Sequence, residues 1–128
     1  MISNVENQTE ERCGFLFGHE SDENRTITKL ISVHNTTSGD RRTSFAISSK
    51  AYLMAEYVAE QEGISLLGIY HSHPNCPATP SEYDRLAAQP YFSYVIISVI
   101  EKKLPAMRSW QLNSLNQFNE EQIELKHT

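Results

Sequence analysis

A continuous apolar run, ISLLGIY at residues 64–70, constrains the fold more than any other segment of the chain. Gly63 precedes this run and the polar sequence HSHPN follows it, so both of its ends are well marked. An uninterrupted apolar run of this kind is typical of a strand at the centre of a sheet that is covered on both faces. We therefore predict a central β-strand over residues 64–70.

Patterns for strands and helices alternate along the rest of the chain. Further strands are predicted where short runs are apolar or alternate with polar residues, at residues 13–18, 26–34, 43–47, 94–100, 107–112 and 122–126. Apolar residues at helical spacing between the N-cap candidate Ser48 and Gly63 predict a helix, with Met54 on its buried face. This order predicts an α/β fold with a mixed sheet flanked by helices.

The size and charge of the chain limit its organisation and its partners. A chain of 128 residues with 39% hydrophobic residues is large enough for one domain with its own core, so residues 1–128 are expected to form a single domain. The net charge of −5 is spread along the sequence without a basic block, which disfavours nucleic acid as a partner.

The sequence also bears on location and redox state. The first residues resemble no secretory signal, and the apolar run near 94–100 is far too short to span a membrane, so we expect a cytoplasmic protein without a membrane partner. Cys13 and Cys76 form no CxxC pair, and a chain that can build a core has little need of a disulfide. We predict that both are free thiols.

The segment YHSHPNCPATPSEYDR, residues 70–85, contains the candidate metal-binding residues. His71 and His73 follow the predicted central strand, and side chains two positions apart on a strand point the same way, about 6.5 Å apart along the chain. Their imidazoles can therefore bind one metal ion. Pro74 removes the next backbone donor and is expected to end the strand.

A second helix is predicted after this strand, with Thr79 as N-cap, Pro80 at its first position and Glu82 completing a capping box. Ser81 and Asp84 would then lie on one face of its first turn, near the two histidines. Two histidines and one aspartate are three ligands, and they leave the fourth position of zinc open for water, as in catalytic zinc sites. We predict one catalytic Zn²⁺ per chain.

Hydrolysis at such a site needs a general base within hydrogen-bonding distance of the water. Glu11 precedes the first predicted strand and shares its side of that strand with Cys13 and Phe15, whereas Glu10 would point away. Alternatively, Glu11 is a solvated surface charge. Its position in the sequence alone would not identify it as the general base. Cys76, in the loop between the predicted ligands, is either incidental or a modulator of the site.

These residues resemble the signature of the JAMM (MPN-domain) zinc isopeptidases: a glutamate before an early strand, then HxHP, then Ser-x-x-Asp. Residues 74 through 80 separate His73 from Ser81 as in that signature, and the beginning Glu11-Arg12-Cys13-Gly14 is also similar. The resemblance implies the MPN, or cytidine-deaminase-like, architecture. It also implies metal ligation by His71, His73 and Asp84, acid–base catalysis by Glu11, and stabilisation of the oxyanion by Ser81. A simple polar residue in the first helical turn is the alternative for Ser81.

Members of this family hydrolyse the amide bond after the C-terminal Gly-Gly of ubiquitin-like proteins. The short distance from Asp84 to the next predicted strand leaves no room for the insertions of the eukaryotic enzymes, so the chain resembles the compact bacterial type, associated with β-grasp sulfur-carrier proteins. Two alternatives share the fold. One is a RadC-like protein linked to DNA, which the acidic charge disfavours, and the other is a non-catalytic MPN interaction module, which usually lacks ligands that are present here. A zinc nucleobase deaminase is excluded because HxE and PCxxC do not occur.

Overall fold

The computed structural model describes residues 12–22, 24–37, 45–74, 76–100 and 105–124, without the side chain of Tyr83. The elements of these segments are β1 Cys13–Glu20, β2 Arg25–Val33, α1 Ser49–Glu62, β3 Ser65–Pro74, α2 Glu82–Ala87, β4 Ser93–Val99, β5 Ala106–Leu112 and β6 Phe118–Glu121. The strands form a six-stranded sheet in the order β2-β1-β3-β4-β5-β6. Strand β3 therefore lies in the interior of the sheet, as its apolar run predicted.

The sheet is mixed, which confirms the predicted fold class. Strands β3 and β4 pair in parallel, and β1–β2, β1–β3, β4–β5 and β5–β6 pair antiparallel. A parallel pair needs a crossover connection, and here the crossover contains α2. Because ligand sites in such units lie beyond the carboxyl ends of the parallel strands, the segment between β3 and β4 is where a site is expected.

Apolar side chains cover both faces of the sheet. On the face that packs against α1, Phe15, Phe17 and Ile69 form one cluster with Ala55 of the helix. Leu16, Tyr70, Val95 and Ile97 alternate with these positions and form a second cluster on the other face. Ile69 of β3 belongs to the cluster that packs against α1, and His71 and His73 follow it at two-residue spacing, so they project on the same side as this helix.

Helix α1 begins and ends where the sequence predicts. The Ser48 side chain accepts a hydrogen bond from the Ala51 backbone N–H, and Gly63 ends the helix at φ 65°, a left-handed conformation that suits glycine. The prediction that Met54 is part of the core is wrong, since 60% of its surface is exposed. Ala55 and Ala59 are the residues of α1 that are buried. The buried face is narrower than the apolar spacing suggested.

Two strand predictions differ from the structure. Residues 45–47 of the predicted strand 43–47 lie in no strand, and residues 43 and 44 lie outside the described segments. The Ala46 N–H donates to the Asn35 side chain, and the Ala46 carbonyl accepts from the Thr36 N–H. These hydrogen bonds take the place of pairing with a neighbouring strand. The last strand is Phe118–Glu121, so residues 122–124 of the predicted strand 122–126 follow it and the others are not described. A tight turn at residues 113–117 places Phe118 opposite Leu112 and thereby moves the pairing earlier.

Neither Cys13 nor Cys76 is in a disulfide, as predicted. Cys13 is buried in β1 and pairs in register with His71, whereas Cys76 is exposed. Neither helix of the described chain is long and apolar enough to cross a membrane.

Candidate metal centre

The three predicted ligands lie together at the carboxyl end of β3. The rings of His71 and His73 stack with centroids 4.8 Å apart and an angle of 18° between their planes. Asp84 of α2 faces them, with its Oδ2 at 3.6 Å from Nε2 of His71 and 3.3 Å from Nε2 of His73. The potential ligand atoms of the three residues all lie within 4.8 Å of one another. The structure thus confirms that these side chains converge.

The start of α2 differs from the prediction and determines how Asp84 is held. Ser81, not Thr79, is the N-cap, with extended backbone at φ −84° and ψ 169°. Its Oγ accepts from the Asp84 N–H at 3.0 Å, and Asp84 Oδ2 accepts from the Ser81 N–H at 2.8 Å. Two overlapping patterns, Thr79-x-x-Glu82 and Ser81-x-x-Asp84, both fit a capping box, and the sequence did not reveal which is used. The capping box orients the carboxylate that faces the histidines.

His73 is oriented by the backbone of the loop that follows it. Its Nδ1 lies 3.1 Å from the Pro77 carbonyl oxygen. A carbonyl oxygen can only accept a hydrogen bond, so Nδ1 carries the proton and donates it, and in the neutral form of the ring the lone pair is on Nε2. This is the tautomer that binds a metal through Nε2.

His71 is a buried imidazole with an unsatisfied nitrogen. Only 2% of its side chain is exposed, and its Nε2 finds no hydrogen-bond partner among the residues that the structure describes. Burial lowers the pKa of His71 to about 3, an effect that the nearby Asp84 carboxylate opposes and His73 reinforces. The ring is therefore neutral at pH 7, which leaves a lone pair for a metal.

The Asp84 carboxylate stays ionised although its side chain is only 8% exposed. Burial by itself raises the pKa of this group, but its close contacts with His73 and His71 and the Ser81 N–H together hold the pKa below its ordinary value. One anionic oxygen thus faces the Nε2 atoms of both histidines. Because His71 is neutral, its contact with Asp84 is not an ion pair.

These observations fit a metal ion. An unpartnered buried nitrogen costs about 1–3 kcal/mol, so its presence needs a reason. A cation held by the two Nε2 atoms and the carboxylate would satisfy this nitrogen and balance the charge of Asp84. The donor set of two imidazoles and one carboxylate suits transition-metal ions such as zinc and, with three ligands, belongs to the open type of site.

An apolar cavity of about 230 Å³ borders the ligands. Phe45, Tyr52, Ile69 and Tyr94 are among its lining residues, together with His71. Phe45 also packs against the His71 ring, with the two centroids 4.3 Å apart. A group that enters this space therefore reaches the ligand cluster from an apolar environment, in which electrostatic interactions are stronger than in water.

The two other predicted site residues are Glu11 and Ser81. Glu11 lies outside the described residues, but Arg12, which follows it in the chain, exchanges two hydrogen bonds with Ser72, between the two histidines. Arg12 N–H donates to Ser72 Oγ at 2.8 Å, and Ser72 N–H donates to the Arg12 carbonyl at 2.9 Å. The Ser81 hydroxyl accepts a bond in the capping box, and a hydroxyl in this role can still donate its own hydrogen.

The sequence did not reveal two contributions to the site. Phe45, predicted within a strand, lies in an irregular segment and covers the His71 ring. The Pro77 carbonyl, which sets the His73 tautomer, is a backbone group that no sequence motif marks. A buried strand histidine does suggest that an outer hydrogen-bond acceptor is needed, but it does not show which one.

Fold and site together define a protein with a mixed sheet and three side chains that could hold a metal ion at the crossover between its parallel strands. Residues 3–113 match the family described as prokaryotic homologs of the JAB domain. The chain belongs to this family, which confirms the predicted family.

Individual relatives of the chain support the same family and point to an isopeptidase activity. The chain is 31% identical over 119 residues to a desampylase from Pyrococcus furiosus, covering 93% of this chain and 79% of that protein. It is 46% identical over 72 residues to a probable TtuB-protein conjugate cleaving protease from Thermus thermophilus, covering 56% of this chain and 48% of that one. The chain is thus a hydrolytic isopeptidase of the JAB family, as the sequence indicated.

The fold is also similar to solved structures. A protein from Desulfitobacterium hafniense superposes with a TM-score of 0.87 at 30% sequence identity, covering all 100% of this chain and 87% of that one. The similarity extends over the whole sheet and both helices, so it supports the mixed-sheet architecture and not only the ligand motif.

Proposed function

We propose that this isopeptidase binds one Zn²⁺ through His71, His73 and Asp84 and hydrolyses the amide bond after the C-terminal Gly-Gly of a ubiquitin-like or β-grasp sulfur-carrier protein. The observation that carries the metal site is the buried, unpartnered Nε2 of His71 beside the Asp84 carboxylate. The substrate class is supported by the family and by a relative named for cleaving TtuB–protein conjugates.

The three ligands would fix the ion while leaving room for a water molecule and the scissile carbonyl. When bound, zinc would act as a Lewis acid and lower the pKa of a water molecule to about 7. His71 is suited to this role because it is neutral, and His73 because its Nδ1–H is held by Pro77. Asp84 contributes the negative charge, and its capping box fixes its direction.

Glu11 is proposed as the acid–base group. It would take the proton of the attacking water and return it to the leaving amine, a step that typically contributes 10²–10⁴-fold to the rate. Support comes from the next residue, because the backbone of Arg12 is hydrogen-bonded to Ser72, between the two histidine ligands. The chain just after Glu11 therefore lies beside the metal centre.

Ser81 is proposed to donate its hydroxyl hydrogen to the oxyanion of the tetrahedral intermediate. Its Oγ already accepts the Asp84 N–H, which holds the hydroxyl oxygen in place next to a metal ligand. A donor fixed in advance at the position of developing charge stabilises the transition state without reorganisation.

The test uses the full chain and a β-grasp protein extended by a short peptide beyond its Gly-Gly. We expect about one zinc per chain and cleavage directly after the Gly-Gly. Glu11→Gln should keep the zinc and lose at least about a hundredfold in kcat. Glu10→Gln, which makes the same charge change one residue earlier, is the matched control and should keep its activity.

Each outcome separates one part of the proposal. Full activity in Glu11→Gln would remove this residue as the base. Zinc binding without cleavage of any Gly-Gly extension would contradict the substrate class and favour the interaction-module alternative. Protein without bound zinc after incubation with the metal would contradict the metal centre. The single domain over residues 1–128 and the cytoplasmic location stay predictions.

A further inference from the structure

The loop between β3 and α2 presents three consecutive carbonyl groups, and each of them accepts a hydrogen bond from a side chain. Ser98 Oγ donates to the Cys76 carbonyl at 2.5 Å. His73 Nδ1 donates to the Pro77 carbonyl at 3.1 Å, and Trp110 Nε1 donates to the Ala78 carbonyl at 3.1 Å. The acceptor of the ligand histidine is thus flanked on both sides by anchored carbonyls.

The two flanking donors come from different strands of the sheet. Ser98 lies on β4, pairs in register with His73, and is only 4% exposed. Trp110 lies on β5, next to β4 in the sheet. The loop is therefore fixed to two strands that carry none of the three ligands. Ala78, at the anchored end, is 3% exposed, so this part of the loop is packed against the protein.

The position of the Pro77 carbonyl matters because it determines the direction of the His73 ring. An outer acceptor on a metal-binding histidine sets its tautomer and orientation, and losing such a partner typically costs 10–100-fold in metal affinity or activity. The hydrogen bonds to the carbonyls on either side hold the backbone that carries the Pro77 carbonyl in place. The orientation of His73 therefore depends on Ser98 and Trp110.

We propose that Ser98 and Trp110 are positioning residues of the metal centre, acting through Pro77 and His73 on the affinity and geometry of metal binding. This inference rests on the proposed function, because it assumes that His73 is a metal ligand. It goes beyond the ligands and catalytic groups, since the serine and the tryptophan act only through the loop.

The experiment measures Zn²⁺ affinity of the metal-free full chain by competition with a chromophoric chelator. Ser98→Ala and Trp110→Phe should each weaken Zn²⁺ binding about tenfold, at the lower end of the range for outer partners. Ser98→Thr keeps the hydroxyl and should recover most of the affinity. Co²⁺ absorption spectra of the same proteins should shift in Ser98→Ala and Trp110→Phe, which reports a change of ligand geometry and not only of stability.

Ser93→Ala is the matched control. Ser93 is on the same strand as Ser98, is 6% exposed, and also makes a side-chain hydrogen bond, but with Arg25 at the opposite end of β4. Its loss should leave Zn²⁺ affinity and the Co²⁺ spectrum unchanged. A similar loss of affinity in Ser93→Ala would overturn the inference, because the effect would then be a general consequence of weakening the strand.

Failure of this inference is distinct from failure of the proposed function. Wild-type affinity and an unchanged Co²⁺ spectrum in Ser98→Ala would overturn the positioning role while the metal centre stands. A wild-type chain that binds no Zn²⁺ would instead overturn the metal centre itself. If Trp110→Phe does not fold, the comparison of Ser98→Ala with Ser98→Thr decides the inference, since both substitutions concern one hydroxyl group.

Discussion

The two ends of the β3–β4 pair both hold polar clusters, but only one of them is complete by itself. At the amino end, the Arg25 guanidinium donates to Glu20, to the Leu67 carbonyl and to Ser93 Oγ, and it lies 4.5 Å from the centroid of the Tyr91 ring. At the carboxyl end, the described part of the chain offers no hydrogen-bond partner to the buried Nε2 of His71.

The contrast separates a cluster that stabilises the fold from one that is suited to bind a ligand. Buried polar groups in proteins are almost always hydrogen-bonded, and a satisfied cluster such as the one around Arg25 needs nothing from outside. A buried nitrogen without a hydrogen bond beside an ionised carboxylate raises the free energy of the folded protein, and a bound cation would remove this destabilisation. We expect mutations at the carboxyl end to change metal binding and those at the amino end to change stability.

The largest expected effect is on metal binding in Asp84→Asn. The amide keeps an oxygen that can accept the Ser81 N–H but loses the charge that faces the two histidines. Zn²⁺ affinity and activity should fall by more than about a hundredfold, beyond the range for outer partners. The free energy of unfolding of the metal-free protein should change by less than about 1 kcal/mol. Chelator competition and urea denaturation measure the two quantities.

Glu82→Gln is the control for this prediction, because it makes the same charge change on the same helix at an exposed residue paired with Arg85. It should keep Zn²⁺ affinity within about twofold. Equal losses in both variants would mean that the charge of α2, and not ligation, controls metal binding.

The second prediction tests the amino end. Arg25→Met keeps an unbranched chain but leaves the Leu67 carbonyl and the Ser93 hydroxyl without this donor, so the metal-free protein should lose about 2 kcal/mol of unfolding free energy. Zn²⁺ affinity should not change. Arg108→Met also removes an arginine paired with a glutamate, Glu120, but at an exposed site, and should destabilise less. A loss of metal binding in Arg25→Met would show that the two ends are not independent.

The third prediction concerns pH. His71 has a pKa of about 3 in the metal-free folded protein and about 6.5 when unfolded. Between these values the unfolded chain binds the extra proton, so stability falls as the pH falls below about 6.5. The metal-free protein should lose roughly 2 kcal/mol between pH 6.5 and 4.5. Asp84 does not contribute in this range, because its lowered pKa confines its effect to more acidic solutions.

Urea denaturation at several pH values checks this expectation. His71→Phe should remove most of the pH dependence, whereas the same change at the exposed His19 should leave it intact. A wild-type stability that stays constant from pH 6.5 to 4.5 would contradict the assignment of His71 as a buried neutral imidazole.

The sequence predicted the site better than it predicted the details of the fold around it. The convergence of His71, His73 and Asp84 could be predicted, because residues two apart on a strand point the same way and the first turn of the next helix starts near the end of that strand. The first residue of α2 could not be predicted from the sequence, since two capping patterns overlap and the choice between them depends on how the loop packs. The burial of Met54 was also wrong, because periodicity shows that residues share a face but not how wide the covered part of it is.

Contacts between distant segments were beyond the reach of local patterns. Trp110 lies in a strand that the sequence predicts, and the structure shows that its indole N–H donates a hydrogen bond to the Ala78 carbonyl. A largely covered indole needs an acceptor for its N–H, which is a signal that could have prompted a search. The acceptor is a backbone carbonyl in another element, and a single sequence holds no information on which one it is.

The reciprocal hydrogen bonds between Ser81 and Asp84 restrict how this family member can diverge. A glutamate at position 84 would carry the charge but place it one methylene too far out for the Ser81 amide, and an asparagine would suit the amide but not a cation. Only aspartate meets both demands. We therefore expect aspartate at position 84 in every functional descendant. Arg85, which pairs with Glu82 at the surface, should tolerate substitution.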